Sequence, residues 1–248
     1  MSNKVAVVTG GASGIGLATC RTFAKNNFDI VLADINEEAG LQAVAELKKI
    51  GVSAIYQHTD VSKPDQVEAL INKAVAEYGK IDVLVNNAGI APPFRRAADH
   101  TLEDWNKVIA INLGGVFYGL KYGTAQMMKQ GSGNIINVAS LAGIRASYTG
   151  MAYSASKFGV VGMTKSAALE YGKYQIRINC ICPSITKTPI LDDIGSEDPV
   201  MMAKLLKAIP LRRYAEPEEM ANGILWLATE NSSFVTGHSL IVDGGMQL

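Results

Sequence analysis

The chain is poor in cysteine: Cys20, Cys180 and Cys182 are the only three in 248 residues. That is too few for a disulfide framework, and no histidine follows Cys180 and Cys182 at zinc-finger spacing. His58, His100 and His238 are scattered and form no ligand set, so no metal site is expected. Buried thiols in a reducing, cytoplasmic compartment are the expectation. Net charge is missing too, because 23 Lys and Arg balance 23 Asp and Glu. A neutral chain has no global field with which to hold a polyanion, which argues against nucleic acid as a partner. Long apolar runs are also absent. The stretch from Val108 to Leu120 is uncharged, but it is shorter than the ~18 residues of a membrane span and is broken by Gly114, Gly115 and Gly119. No membrane partner is expected. The N-terminus lacks the charged and apolar regions of a signal peptide.

What the chain has is core material, 48% hydrophobic against 19% charged residues, which excludes disorder. Short apolar runs alternate with helical patterns. Strands are expected at 5–8, 30–33, 54–56, 81–85, 134–138, 176–181 and 239–242. Helices are expected at 15–26, 37–50, 64–78, 101–129, 153–171 and 216–228. Such alternation implies an α/β fold, a doubly wound parallel sheet of about seven strands with helices on both faces. No repeat or Pro/Gly-rich linker divides it, so residues 1–248 read as one domain. The irregular stretch between Pro183 and Pro210 is long for a loop, and 184–210 reads as a substrate lid.

Thr9-Gly10-Gly11-Ala12-Ser13-Gly14-Ile15-Gly16 joins the first strand to the first helix. Gly10 can take a positive φ to turn the chain. Gly14 and Gly16 admit a pyrophosphate and pack helix on strand, and the helix start at Ser13 and Ile15 offers free N–H groups to an anion. A structural turn would look similar, but the position after the first strand favours a dinucleotide site. Asp34 ends the second strand, where a carboxylate can accept from an adenosine ribose and repel the extra phosphate of NADP. It equally fits a capping box for the next helix. Ala12, Ser13, Ile35 and Asn36 offer no cation for a 2′-phosphate, so NAD is the expected cofactor.

Tyr153 and Lys157 stand four residues apart on one helix face. A lysine ammonium near a phenol lowers its pKa, and such a tyrosine can exchange a proton with an alcohol while hydride leaves its carbon. Most pairs of this kind are solvated helix faces. Ser140, after the fifth strand, can hold a carbonyl oxygen or simply cap a turn.

Taken in order, Thr9-Gly10-x-x-x-Gly14-x-Gly16, Asp60-Val61, Asn86-Asn87-Ala88-Gly89, Asn112, Ser140, Tyr153-x-x-x-Lys157 and Val242-Asp243-Gly244-Gly245 resemble the short-chain dehydrogenase/reductase family over essentially the whole length. The resemblance implies a Rossmann-type fold and a role for each position. Tyr153 is then the general acid/base, and Lys157 lowers its pKa and holds the nicotinamide ribose. Ser140 orients the substrate oxygen, and Asn112 holds a water that relays protons from Lys157. Asp60 and Val61 meet the adenine. Asn87, Ala88 and Gly89 border the cleft, and Pro183, Ile185 and Thr188 meet the nicotinamide. Two plainer readings stay open: Asp60 as the end of a strand before a cap at Ser62, and Asn86 and Asn87 as turn residues. One departure is Pro183-Ser184 where the family has Pro-Gly, and serine there is expected to restrict the backbone.

By the same resemblance, Phe94, Leu141, Tyr148, Ile190 and Leu191 line the substrate pocket. That lining points to a hydrophobic or alicyclic secondary alcohol and its ketone. Arg95, Arg96 or Arg145 can bind an acidic tail, which keeps 3-oxoacyl thioesters and hydroxy acids open. An NADPH-type 3-oxoacyl thioester reductase and a non-catalytic dinucleotide sensor are the rival readings. The resemblance further implies a homotetramer, with helices near 101–129 and 153–171 and the last strand at its interfaces.

Overall fold

The computed structural model describes residues 3–91, 95–193 and 199–248. Seven strands form one sheet: β1 (Lys4–Thr9), β2 (Phe28–Asp34), β3 (Ala54–His58), β4 (Val83–Asn86), β5 (Gly133–Val138), β6 (Ile176–Pro183) and β7 (Ser239–Val242). Every pairing is parallel and the order is β3-β2-β1-β4-β5-β6-β7. The helices between them are α1 (Gly14–Lys25), α2 (Glu37–Ile50), α3 (Pro64–Tyr78), α4 (Leu102–Val108), α5 (Gly115–Gln130), α6 (Met151–Tyr171), α7 (Pro189–Asp193), α8 (Pro199–Ala208) and α9 (Pro217–Ala228).

β1 reads as a continuous apolar run because both of its faces are buried. Ala6 and Val8 face one core with Phe23, Leu32, Leu47, Ile224 and Leu227. Val7 faces the other, with Leu70, Leu84, Leu120, Ile135 and Val160. This is the Rossmann-type doubly wound sheet. Its strand order reverses between β1 and β4, and that crevice at the carboxyl ends is where ligands of such sheets bind.

Two expected elements differ. The single helix over 101–129 is two, α4 and α5, joined by a π-helical turn at Ile109–Gly114. Apolar periodicity runs through the turn and so hides it, and wide turns of this kind frequently mark functional positions. Asn112 lies inside it. The stretch after β6 holds α7 and α8, each opening on a proline that suits a first helical position.

Candidate active site

A cavity of about 1150 Å³ runs along the carboxyl ends of the strands. Strand order sets the sequence of its walls. β2 and β3 contribute Asp34, Ile35, Asp60 and Val61; the turn after β1 contributes Gly10, Ser13, Gly14 and Ile15; β4 leads to Asn87, Ala88 and Gly89. Past the crevice, β5 leads to Ser140 and Leu141, and β6 to Pro183, Ile185, Thr188, Ile190 and Leu191. Tyr153, Lys157 and Tyr148 also line it. Gly16 and Asn112 do not, and Phe94 lies outside the described residues.

The glycine turn is built for close approach. Gly10 and Gly14 have φ of 63° and 50°, and a Cβ on Gly14 would stand 3.2 Å from Thr188. Gly16 packs helix on strand, since a Cβ there would overlap the Gly10 carbonyl. Asn87 locks the turn, its Nδ2 donating to the carbonyls of Thr9 (2.9 Å) and Gly10 (3.1 Å). Thr9 Oγ1 accepts from the amides of Asn87 (3.0 Å) and Ala88 (3.1 Å). Thr9 and Asn87 thus tie β1 to β4 across the crevice. Ser13 is the N-cap of α1, yet its side chain makes no capping bond and the first turn carries no acid. The positive end of α1 therefore faces the cavity with its amides free for an anion.

Asp34 is not the cap of α2. Asn36 is, through an acceptor bond from the Ala39 amide at 3.1 Å. The Asp34 carboxylate instead accepts from the amides of Ala12 and Asn36, both at 3.0 Å, which anchors it at the cavity rim. Asp60 Oδ1 accepts from the amide (2.9 Å) and hydroxyl (2.7 Å) of Ser62. The cap expected at Ser62 falls instead on Lys63, followed by Pro64.

At the other end Ser140 Oγ accepts from the Ala142 amide at 3.1 Å, which leaves its proton to donate towards Tyr153 or a ligand. Lys157 is 3% exposed and donates from Nζ to the Val138 carbonyl at 2.9 Å. Its Nζ lies 5.6 Å from the centroid of the Tyr153 ring. Burial lowers the Lys157 pKa to about 8, an effect that negative charge on Cys182 would oppose. Burial raises the Tyr153 pKa, partly offset by the Ser140 hydroxyl. The depression of the phenol expected from the Lys157 spacing is not seen here: the ammonium donates to a carbonyl, and burial dominates at Tyr153.

Asn112 is fully buried behind this wall. Its Oδ1 accepts from the Ile90 amide and its Nδ2 donates to the Ile90 carbonyl, both at 2.9 Å, with Ser156 Oγ a further acceptor at 3.4 Å. It holds the β4 loop, and Gly89 separates it from Lys157. An atom at the Cβ position of Gly89 would stand 3.3 Å from Asn112 Oδ1 and 3.5 Å from Lys157 Nζ, so the gap left by glycine is within bridging reach of both.

Ser184 has no positive φ, and its amide donates to the Val242 carbonyl at 3.2 Å. The backbone restriction expected there costs nothing, because the chain needs no left-handed turn at that point. Leu205, within the stretch expected as the lid, and Met246, near the end of the chain, also line the cavity, and neither residue type by itself marks a site.

The comparisons agree with this geometry. A family model described as enoyl-(acyl carrier protein) reductase matches residues 10–247. The chain is 40% identical to a 3-oxoacyl-[acyl-carrier-protein] reductase of Chlamydia muridarum, covering 98% of this chain and 97% of that one. It is 41% identical to a cis-4-hydroxycyclohexanecarboxylate dehydrogenase of Sinomonas cyclohexanicum, covering 98% and 96%. The chain belongs to the short-chain dehydrogenase/reductase family. Among solved structures, NAD+-bound xylitol dehydrogenase superposes with a TM-score of 0.93 at 34% identity, covering 98% of each chain. This member of the family is an oxidoreductase whose relatives act on CH–OH groups. Among its described residues no helix is long and apolar enough to cross a membrane.

Proposed function

We propose that this short-chain dehydrogenase/reductase transfers hydride between NAD(H) and a hydrophobic or alicyclic secondary alcohol and its ketone. One observation carries the reading: a single cavity has the Asp34 carboxylate at one end and Ser140, Tyr153 and Lys157 at the other. The cleft fits a dinucleotide, because free amides at the start of α1 suit a pyrophosphate and Asp34 suits a ribose diol. Bound there, the dinucleotide supplies the hydride acceptor. Ser140 donates to the substrate oxygen, and the Tyr153 phenolate takes the hydroxyl proton as the carbon gives up hydride. Lys157 keeps N–H groups beyond the one on Val138 for the nicotinamide ribose. The gap at Gly89 admits a water joining Lys157 to Asn112.

NAD is favoured over NADP because the Asp34 carboxylate at the cavity rim would repel a 2′-phosphate. Arg145 and Lys157, the cations lining the cavity, belong to its far end. The alcohol end is walled by Leu141, Ile185, Ile190 and Leu191, which suits an apolar ring. The name of the chlamydial relative favours a second reading, reduction of 3-oxoacyl thioesters with NADPH, against which Asp34 speaks. The remaining assignments are a single domain with residues 184–210 as its lid, of which 194–198 lie outside the described residues, a cytoplasmic location and a homotetramer. Exposed Phe117, Phe158 and Leu169 on α5 and α6 support the tetramer.

Fluorescence titration with NADH and NADPH tests the cofactor reading: tight NADH and weak NADPH binding are expected, and the reverse would install the thioester reductase. Tyr153→Phe tests the chemistry. NADH affinity should hold within about threefold while kcat falls by about 10²–10⁴. Turnover that survives the substitution would end this mechanism.

A further inference from the structure

Charge is unevenly distributed along the cavity. Its lining carboxylates, Asp34 and Asp60, follow β2 and β3; its lining cations, Lys157 and Arg145, stand at the alcohol end. Lys157 is engaged with Val138 and Tyr153. Arg145 has no carboxylate within ion-pair distance among the described residues. Asp243, in the C-terminal turn beside it, is already spent: its oxygens accept from the amides of Gly245 (2.9 Å) and Gln247 (2.7 Å). That turn presents the Met246 carbonyl, which takes one N–H of Arg145 at 2.9 Å. The guanidinium is thus tethered by one bond, while most of its five donors stay free. The two other candidate cations drop out, because Arg95 pairs with Asp104 at 3.5 Å and neither Arg95 nor Arg96 lines the cavity.

We infer that Arg145 determines specificity by binding a substrate carboxylate, so that the preferred alcohol is a compact alicyclic hydroxy acid. The inference rests on the dehydrogenase reading above and adds the charge of its substrate. Arg145 is an exposed planar fork with free donors on a cavity wall that also holds Leu141 and Leu205, and it matches a carboxylate bidentately. Compactness follows from the chain itself. Arg145 and Ser140 bracket one tight turn, with the Arg145 amide donating to the Leu141 carbonyl at 3.0 Å. Hydroxyl and carboxylate must then be joined by a short scaffold. An acyl thioester, whose phosphate lies many bonds from its carbonyl, does not fit that reach.

The test compares 4-hydroxycyclohexanecarboxylate with its methyl ester and with cyclohexanol, using NAD+ and the full chain. Wild type should favour the acid over the ester by about tenfold or more in kcat/KM, mainly through KM. In Arg145→Met the acid-to-ester ratio should collapse towards one, and in Arg145→Lys it should recover in part. The ratio is read within one preparation, so loss of folded protein cannot imitate the effect. Equal use of acid and ester by wild type, or equal losses on both in Arg145→Met, would overturn the inference and leave the dehydrogenase standing. No oxidation of any of the three, with reduction of a 3-oxoacyl thioester instead, would overturn both.

Discussion

Lys157 should make the protein more stable as pH rises from neutral to mildly alkaline. Its folded pKa is lowered from 10.5 to about 8 by burial, and the side chain is only 3% exposed. The sign follows from proton counting. Between the two values the unfolded chain keeps the proton and the folded chain has lost it, so stability increases with pH there. Below about 8 both states carry the proton and the full cost of a buried ammonium is present. The whole shift corresponds to about 3 kcal/mol, of which about 2 kcal/mol is recovered between pH 7.5 and 9.5. Two neighbouring groups titrate outside that window. Burial holds Tyr153 above its ordinary value, and a hydrogen bond with Cys180 together with burial holds the Cys182 thiol up. Urea unfolding of wild type and Lys157→Met at the two pH values isolates the effect. The stability difference, wild type minus variant, should grow by about 2 kcal/mol at pH 9.5. A difference that stays constant, or shrinks with pH, would refute the buried-ammonium account.

Asp34→Ala should weaken NADH binding by about tenfold or more and erode discrimination against NADPH, since it removes the rim carboxylate and strands the amides of Ala12 and Asn36; titration with both nucleotides reads this directly. Alcohol oxidation should rise with pH from neutral up to about 10 while ketone reduction holds level over the same range, because burial keeps the pKa of the base, Tyr153, above its ordinary value; a flat kcat/KM profile for alcohol oxidation would contradict that assignment. Gly119→Ala should destabilise by about 2–4 kcal/mol, because its methyl would overlap Asn86 Oδ1 and break the buried bond from Asn86 to Asn137, 2.8 Å long; thermal or urea unfolding measures the loss. Thr149→Asn should raise the melting temperature by about 2–4 °C, because a β-branched residue is held at a φ of 59° at the cavity rim and asparagine tolerates that region better.

Much of this was legible in the residues because the chain states it locally. Apolar runs bounded by turns placed the strands, and Glu37–Ile50 and Pro64–Tyr78 were expected with the bounds they have. The glycine turn and the Tyr153–Lys157 pair carry their own spacing. What stayed hidden depends on direction or distance. Period and composition do not tell where a lysine nitrogen points, so neither the bond from Lys157 to Val138 nor the upward direction of the Tyr153 pKa is legible in them. The π-helical turn keeps the apolar pattern of its flanks. Met246 lines the cavity from the far end of the chain, its carbonyl accepting from Arg145 about a hundred residues away.

The same physics explains why Asn112 is so deeply placed. A side chain offered to solvent in the cavity would be free to turn, but Asn112 has donor and acceptor both committed to Ile90. Its orientation is therefore fixed before any ligand arrives, and so is the position of the loop carrying Gly89. The π-helical turn is what lets it reach that loop, because the widened backbone sets one residue out of the regular helical face. Glycine at position 89 then leaves a gap bounded by a fixed amide oxygen and a buried amine. A larger residue would fill it, and a regular helix would withdraw Asn112 from it. Three features far apart in the sequence, a loop glycine, a distorted helical turn and a helix lysine, thus bound one gap whose walls are fixed before any ligand arrives.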